Sequence, residues 1–195
     1  MKINKIWTVS IVIALAGLYR LLPHISNITP VAAMALVGGM YLKRKYLCFL
    51  IPIATLYLSD LVLNNTINRV FFPDHTGLVL WSEYMGYVYG AFLLTVIVGM
   101  VMRNSKTSTK MIGGTLAASI LFFLITNAGT WAFSPMNYPK NIGGFSTAMM
   151  AGVPFFRNTL LGNLIFIPLF VAFFDYVMNM KTDKKTNTEL LLDQA

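Results

Sequence analysis

Six apolar stretches, separated by short polar connections, follow one another along this chain. They cover approximately residues 6–22, 30–42, 46–63, 84–102, 111–133 and 158–178. A hydrocarbon core about 30 Å thick takes roughly 20 helical residues. The spacing therefore predicts an all-α fold, a polytopic bundle of six transmembrane helices. The second stretch is short and needs a thinned bilayer, longer flanks or shielding by its neighbours. Pro30 suits its first turn, where a missing N–H costs nothing. Residues 1–180 are expected to form the membrane domain and residues 181–195 a polar, irregular cytoplasmic tail.

The charges between the stretches alternate. Lys2 and Lys5, then Lys43, Arg44 and Lys45, then Arg103, Lys106 and Lys110, then Lys181, Lys184 and Lys185 fall on one side, 11 of the 15 basic residues. Arg20, Arg69, Lys140 and Arg157 fall on the other. Basic residues stay in the cytoplasm, so both termini are expected there, with the protein in the cell's inner (plasma) membrane. The start of the chain has the basic and apolar parts of a signal peptide, but Tyr19, Arg20 and Pro23 stand where small residues should mark cleavage. It is expected to be retained as the first span.

Composition strengthens this picture. Hydrophobic residues make up 56% of the 195 and charged residues 11%, against about 25% charged in soluble domains. A soluble fold could not cover so apolar a chain with polar surface. The net charge of +8 reads as topology rather than nucleic-acid binding, since no nucleic-acid motif accompanies it. Cys48 is the single cysteine and can form no intrachain disulfide.

Small residues mark expected helix contacts, because lipid gives apolar helices no hydrophobic reason to associate. The second stretch carries Ala32, Ala33, Ala35, Gly38 and Gly39. The fourth has Gly86 and Gly90, and the fifth pairs Gly113 with Ala117 and Gly114 with Ala118.

Polar side chains inside spans are costly and therefore informative. Arg20, Asp60, Asn64, Asn127, Trp131, Arg157 and Asn158 all fall in the half of the bilayer expected to be outer, with Asn163 deeper. Asp60 and Asn64 share a helical face, as do Asn127 and Trp131. Arg157 and Asn158 are expected at a helix N-terminus, where free N–H groups favour an anion. These groups predict a polar, aromatic-walled pocket opening outward. Plainer readings stand beside it: arginines that snorkel, an Asp60 that only neutralises Arg20 or Arg157, and aromatic residues that form an interfacial belt.

Recognisable chemistry is scarce. The sequence has no P-loop, no GxSxG, no HExxH and no zinc-binding cysteine pair. His24 and His75 lack ligand spacing, so no metal or cofactor is expected.

The run from Arg20 through Pro30 to Gly39, with Leu58-Ser-Asp-Leu61, Asn127 with Trp131, and residues 152–162, resembles a family of small bacterial six-helix membrane proteins assigned to transport but without an established function. The likeness covers nearly the whole chain except the tail. That family is in turn similar to the substrate-binding S components of energy-coupling-factor (ECF) vitamin transporters, on six spans and the Asn27-x-x-Pro-Val-Ala-Ala run. The resemblance implies a small-molecule substrate held near the outer face, with Asn27 among the site residues. It also implies a transmembrane coupling subunit with cytoplasmic ATPases as partner. The first span has Ala14, Ala16 and Gly17, without the Ala-x-x-x-Ala spacing of the S-component docking motif.

The leading expectation is thus a substrate-binding or transport protein rather than an enzyme. Arg20 and Arg157 would attract an anionic group, and Asp60, Asn127 and Asn158 would give hydrogen bonds. Trp131 and Tyr138 would stack on a ring, and the loop 143–154 would act as a lid. The alternatives are a non-catalytic scaffold, or an intramembrane lipid-modifying enzyme with Asp60 as base and His24 or His75 assisting.

Overall fold

A computed structural model describes residues 5–22, 27–71, 76–104, 108–133 and 137–192, with backbone only from 178. Among them are six α-helices and no strand: α1 (Lys5–Tyr19), α2 (Val31–Tyr41), α3 (Lys45–Asn65), α4 (Glu83–Met102), α5 (Ser108–Phe133) and α6 (Ile142–Leu192). A 3-10 turn (Ile67–Phe71) follows α3. The all-α expectation holds. Stretches of α3, α4, α5 and α6 are long and apolar enough to cross a membrane, whereas α1 and α2 are shorter.

The helices alternate in direction. Parallel pairs are fixed by contacts such as Arg20 with Asp60 between α1 and α3. Antiparallel pairs are fixed by contacts such as Tyr87 with Phe133 between α4 and α5. Lys43, Arg44, Lys45, Arg103 and Lys110 therefore share one end of the bundle, and Arg20, Asp60, Arg69, Glu83 and Lys140 share the other. Large apolar side chains cover much of the outside, among them Ile11, Leu15, Leu50, Ile97, Ile112 and Leu169. Water would penalise such a surface and lipid would not.

The short helix α2 lies at the centre. Each of its residues is buried, and it touches all five other helices. At about 1.5 Å per residue it is too short to cross a hydrocarbon core, yet lipid does not reach it. Its neighbours resolve the mismatch. Where α2 crosses α4, Gly39 lies against the Val96 carbonyl and Gly99 against the Leu36 carbonyl. Glycine is required there because backbone meets backbone.

Just beyond, Arg103 closes α2. Its guanidinium donates to the carbonyl oxygens of Gly39 (2.7 Å) and Leu42 (2.7 Å), which the helix end leaves without intrahelical partners. We expect Arg103→Met to lower unfolding free energy in detergent micelles by about 1–3 kcal/mol. Arg103→Lys should recover only part of that loss, since an ammonium lacks the planar fork.

Other small-residue expectations fare unevenly. Gly114 meets Met102, and Ala118 is buried. Gly113 and Gly90 have nothing near their missing side chains, and Gly86 only the edge of Trp81. These three mark no close crossing between the described helices.

The largest departure concerns α6. The helix starts at Ile142, well before the expected 158, so the residues assigned to a lid loop (143–154) are helical. Asn141 starts it: its side-chain Oδ1 accepts from the Gly144 N–H at 2.9 Å, a helix N-cap. Glycines 143, 144 and 152 and Pro154 read as loop residues in the sequence, but packing against α5 overrides propensity. Neighbouring helices also help transmembrane helices tolerate proline. At its other end α6 continues through Leu192, into the segment expected to be an irregular tail.

Candidate functional site

Arg20 follows the last residue of α1, and its side chain reaches across to α3. Its Nη1 lies 2.8 Å from Asp60 Oδ1 and also donates to Ser59 Oγ. The second carboxylate oxygen, Oδ2, accepts from the Tyr89 hydroxyl of α4 at 2.8 Å. Both oxygens of Asp60 are thus engaged, and a buried charge is balanced by its opposite within three packed helices. Trp81 stacks at a tilt over Tyr89, ring centres 5.5 Å apart. One turn beyond Asp60, Asn64 is buried beside Met85 sulfur. Asn65 pins the segment before α4 by bonding both the N–H (2.8 Å) and the carbonyl (3.0 Å) of Val79.

Beside this network lie two adjoining cavities. The larger, about 470 Å³, is lined by Arg20, Asn27, Thr29, Asn68, Thr126 and Asn163 among its polar groups, and by Leu56, Val88 and Phe122 among its apolar ones. The smaller, about 210 Å³, is lined by Asn127, Thr130, Tyr138, Phe123 and Phe156 among others. Asn27, Tyr84, Phe122, Thr126 and Thr159 border both, so the two adjoin along these side chains. The larger falls within the about 300–1,000 Å³ of small-molecule sites. Asn27 stands at their junction with φ 66°, a left-handed conformation that asparagine tolerates better than most residues.

Of the expected site residues, Arg20, Asn27, Asn127 and Tyr138 line a cavity. Asp60 supports Arg20 from behind, and Asn64 belongs to the packing around it. Asn127 donates to the Phe123 carbonyl (2.8 Å) and packs against Gly152, where α5 and α6 meet. Trp131 lies outside both linings and latches the chain instead. Its Nε1 donates to the Pro139 carbonyl at 2.9 Å, and its ring meets Phe145 edge-on. Lys140 then caps the end of α5 through the carbonyl oxygens of Trp131 and Ala132.

Arg157 and Asn158 are placed differently from the expectation. Both lie within α6, not at a helix N-terminus. Arg157 is exposed, Asn158 half-buried, and neither lines a cavity. The inward face of α6 instead runs Ala148, Gly152, Phe156, Thr159, Asn163, Ile167, the three-four spacing of one helical stripe. Packing of that stripe against its neighbours turns Thr159 in and leaves Arg157 outside. His24 and His75, offered as assistants to Asp60, lie outside the described residues.

Sequence reading missed Thr126, Thr159 and Phe122. Thr126 and Thr159 each adjoin a residue that was singled out, so the polar cluster was located but the rotation of its helices was not. Asn163 was noted as deep and polar. It donates from Nδ2 to Ser119 Oγ at 2.9 Å, joining α6 to α5.

No curated protein and no solved structure matches this chain, so the S-component likeness finds no support in either comparison. One family model matches residues 1–186. The chain belongs to that family, DUF6580, a family of unknown function.

Proposed function

We propose that this is a membrane-embedded substrate-binding protein of transport, which takes a small molecule into the adjoining cavities bordered by α2, α3, α4, α5 and α6. The larger cavity carries the reading: a space of small-molecule size, walled by aromatic rings and by amide and hydroxyl groups from different helices, beside a neutralised ion pair. Asp60 is in this reading a support for Arg20 rather than a general base. The end bearing Lys43–Lys45, Arg103 and Lys110 faces the cytoplasm, which puts the cavities toward the outside. A coupling subunit with cytoplasmic ATPases, as in the S-component resemblance, would supply the energy, since the chain has no nucleotide-binding motif of its own.

Filling the cavities tests this. Native mass spectrometry of the full chain, gently purified, should show one small molecule per protein. Thr126→Trp, at the border of both cavities, should remove it while the melting temperature stays near that of the parent. A parent protein that carries no small molecule, or a Thr126→Trp variant that keeps it, defeats the reading.

A further inference from the structure

Asn163 is 1% exposed, and its Oδ1 has no hydrogen-bond partner among the described residues. The orientation of this amide follows from its neighbours. Ser119 Oγ commits its proton to the Thr115 carbonyl at 2.8 Å, so toward Asn163 it can only accept. The amide nitrogen therefore faces Ser119, and the oxygen is the atom left over. A buried acceptor without a partner is costly, and Asn163 lines the larger cavity.

A second feature adjoins it. Gly162, the residue before Asn163, packs against the Thr29 backbone at the entry to α2. Helix α2 has no side-chain cap, and its hydrogen-bond ladder starts with Met34 N to the Pro30 carbonyl. The N–H groups of Val31 and Ala32 thus have no intrahelical partner, and both residues line the same cavity. The acceptor on α6 and the donors on α2 therefore belong to residues that border one cavity. The cation bordering that cavity, Arg20, is already neutralised by Asp60 at 2.8 Å, so it offers an anionic ligand no net positive charge.

Resting on the binding role proposed above, we infer that the larger cavity selects an uncharged molecule whose N–H donor sits beside a carbonyl acceptor, as in a lactam, amide or ureide. The donor meets Asn163 Oδ1, and the acceptor meets the first turn of α2. The apolar remainder of the ligand lies along Phe122, Leu56 and Val88.

Three matched bicyclic probes separate the terms: 2-quinolinone, N-methyl-2-quinolinone, which lacks the donor, and 2-quinolinone-4-carboxylate, which is charged. Binding to the full chain in detergent is read by native mass spectrometry and thermal shift. The lactam should bind at least about tenfold more tightly than either analogue. The variant Asn163→Leu/Ser119→Ala replaces both bonded partners with apolar groups and so should keep the melting temperature while losing that preference. Equal or better binding of the carboxylate, or an unchanged preference in the double variant, overturns the inference. If Thr126→Trp abolishes that binding, the cavity remains the site and only the ligand class is wrong. Failure of all three probes, with no co-purified molecule, defeats the binding role as well.

Discussion

Gly39→Leu and Gly99→Leu should each abolish recovery of folded protein, while Gly90→Leu should be tolerated. At the crossing of α2 and α4, a Cβ on either of the first two glycines would overlap a carbonyl of the opposite helix. No rotamer can relieve an overlap that begins at Cβ, so the helices must separate. Because α2 is enclosed on every side, separation from α4 displaces it against the other four helices. Overpacking costs about 1–3 kcal/mol where side chains can adjust, occasionally more. With backbone on both sides, even Gly39→Ala should reach about 3 kcal/mol, a large share of the 5–15 kcal/mol typical of whole proteins. Gly90 has nothing within contact range. The check is the yield of monodisperse protein and the midpoint of unfolding in mixed micelles; equal behaviour of the Gly39 and Gly90 variants would show that the crossing is not close.

Separating Arg20 from Asp60 should have the next largest effect, and removing both should undo most of it. Arg20→Leu leaves Asp60 buried with, among the described residues, Tyr89 alone to bond it, and Asp60→Leu leaves the guanidinium without its counter-ion. Breaking a buried pair from one side costs about 3–5 kcal/mol, whereas replacing both partners with apolar residues is often neutral. Here the side chains retain 17% and 11% exposure, which places each single variant near the lower figure. A double-mutant cycle on unfolding in micelles measures the coupling directly. Single and double variants whose losses merely add would show that the bridge contributes nothing of its own. The double variant also bears on ligand charge, because it removes Arg20 from the cavity lining without leaving a lone carboxylate behind.

Much of the architecture could be read from the linear pattern, and particular residues show where that reading stopped. The alternation of basic connections agrees with the alternation of helix directions, because both follow from how many times the chain crosses the bundle. The second stretch is too short to span, and of a thinned bilayer, longer flanks or shielding by neighbours, the packing of α2 supplies the shielding. The sequence leaves Asp60 to neutralise either Arg20 or Arg157, and packing pairs it with Arg20. By contrast, Gly86 and Gly90 have the right spacing for a helix contact and make none, while Gly99, on the same helix, makes the closest one. Helix α4 is apolar nearly all round, so no polar face reveals which side turns inward. The start of α6 was hidden for a related reason: glycine and proline signal loops in water, but beside α5 the same residues continue a helix.

Hydropathy and charge along the chain were enough to specify six helices, their order, their alternating direction and the end of the bundle that holds the polar groups. These depend on transfer of whole segments out of water, a quantity that adds residue by residue. The rotation of each helix, the enclosure of α2 and the approach of Gly162 to Thr29 at the entry to α2 emerged only from packing in three dimensions. Shape complementarity between distant segments governs them, and a sum over local residues carries no record of it.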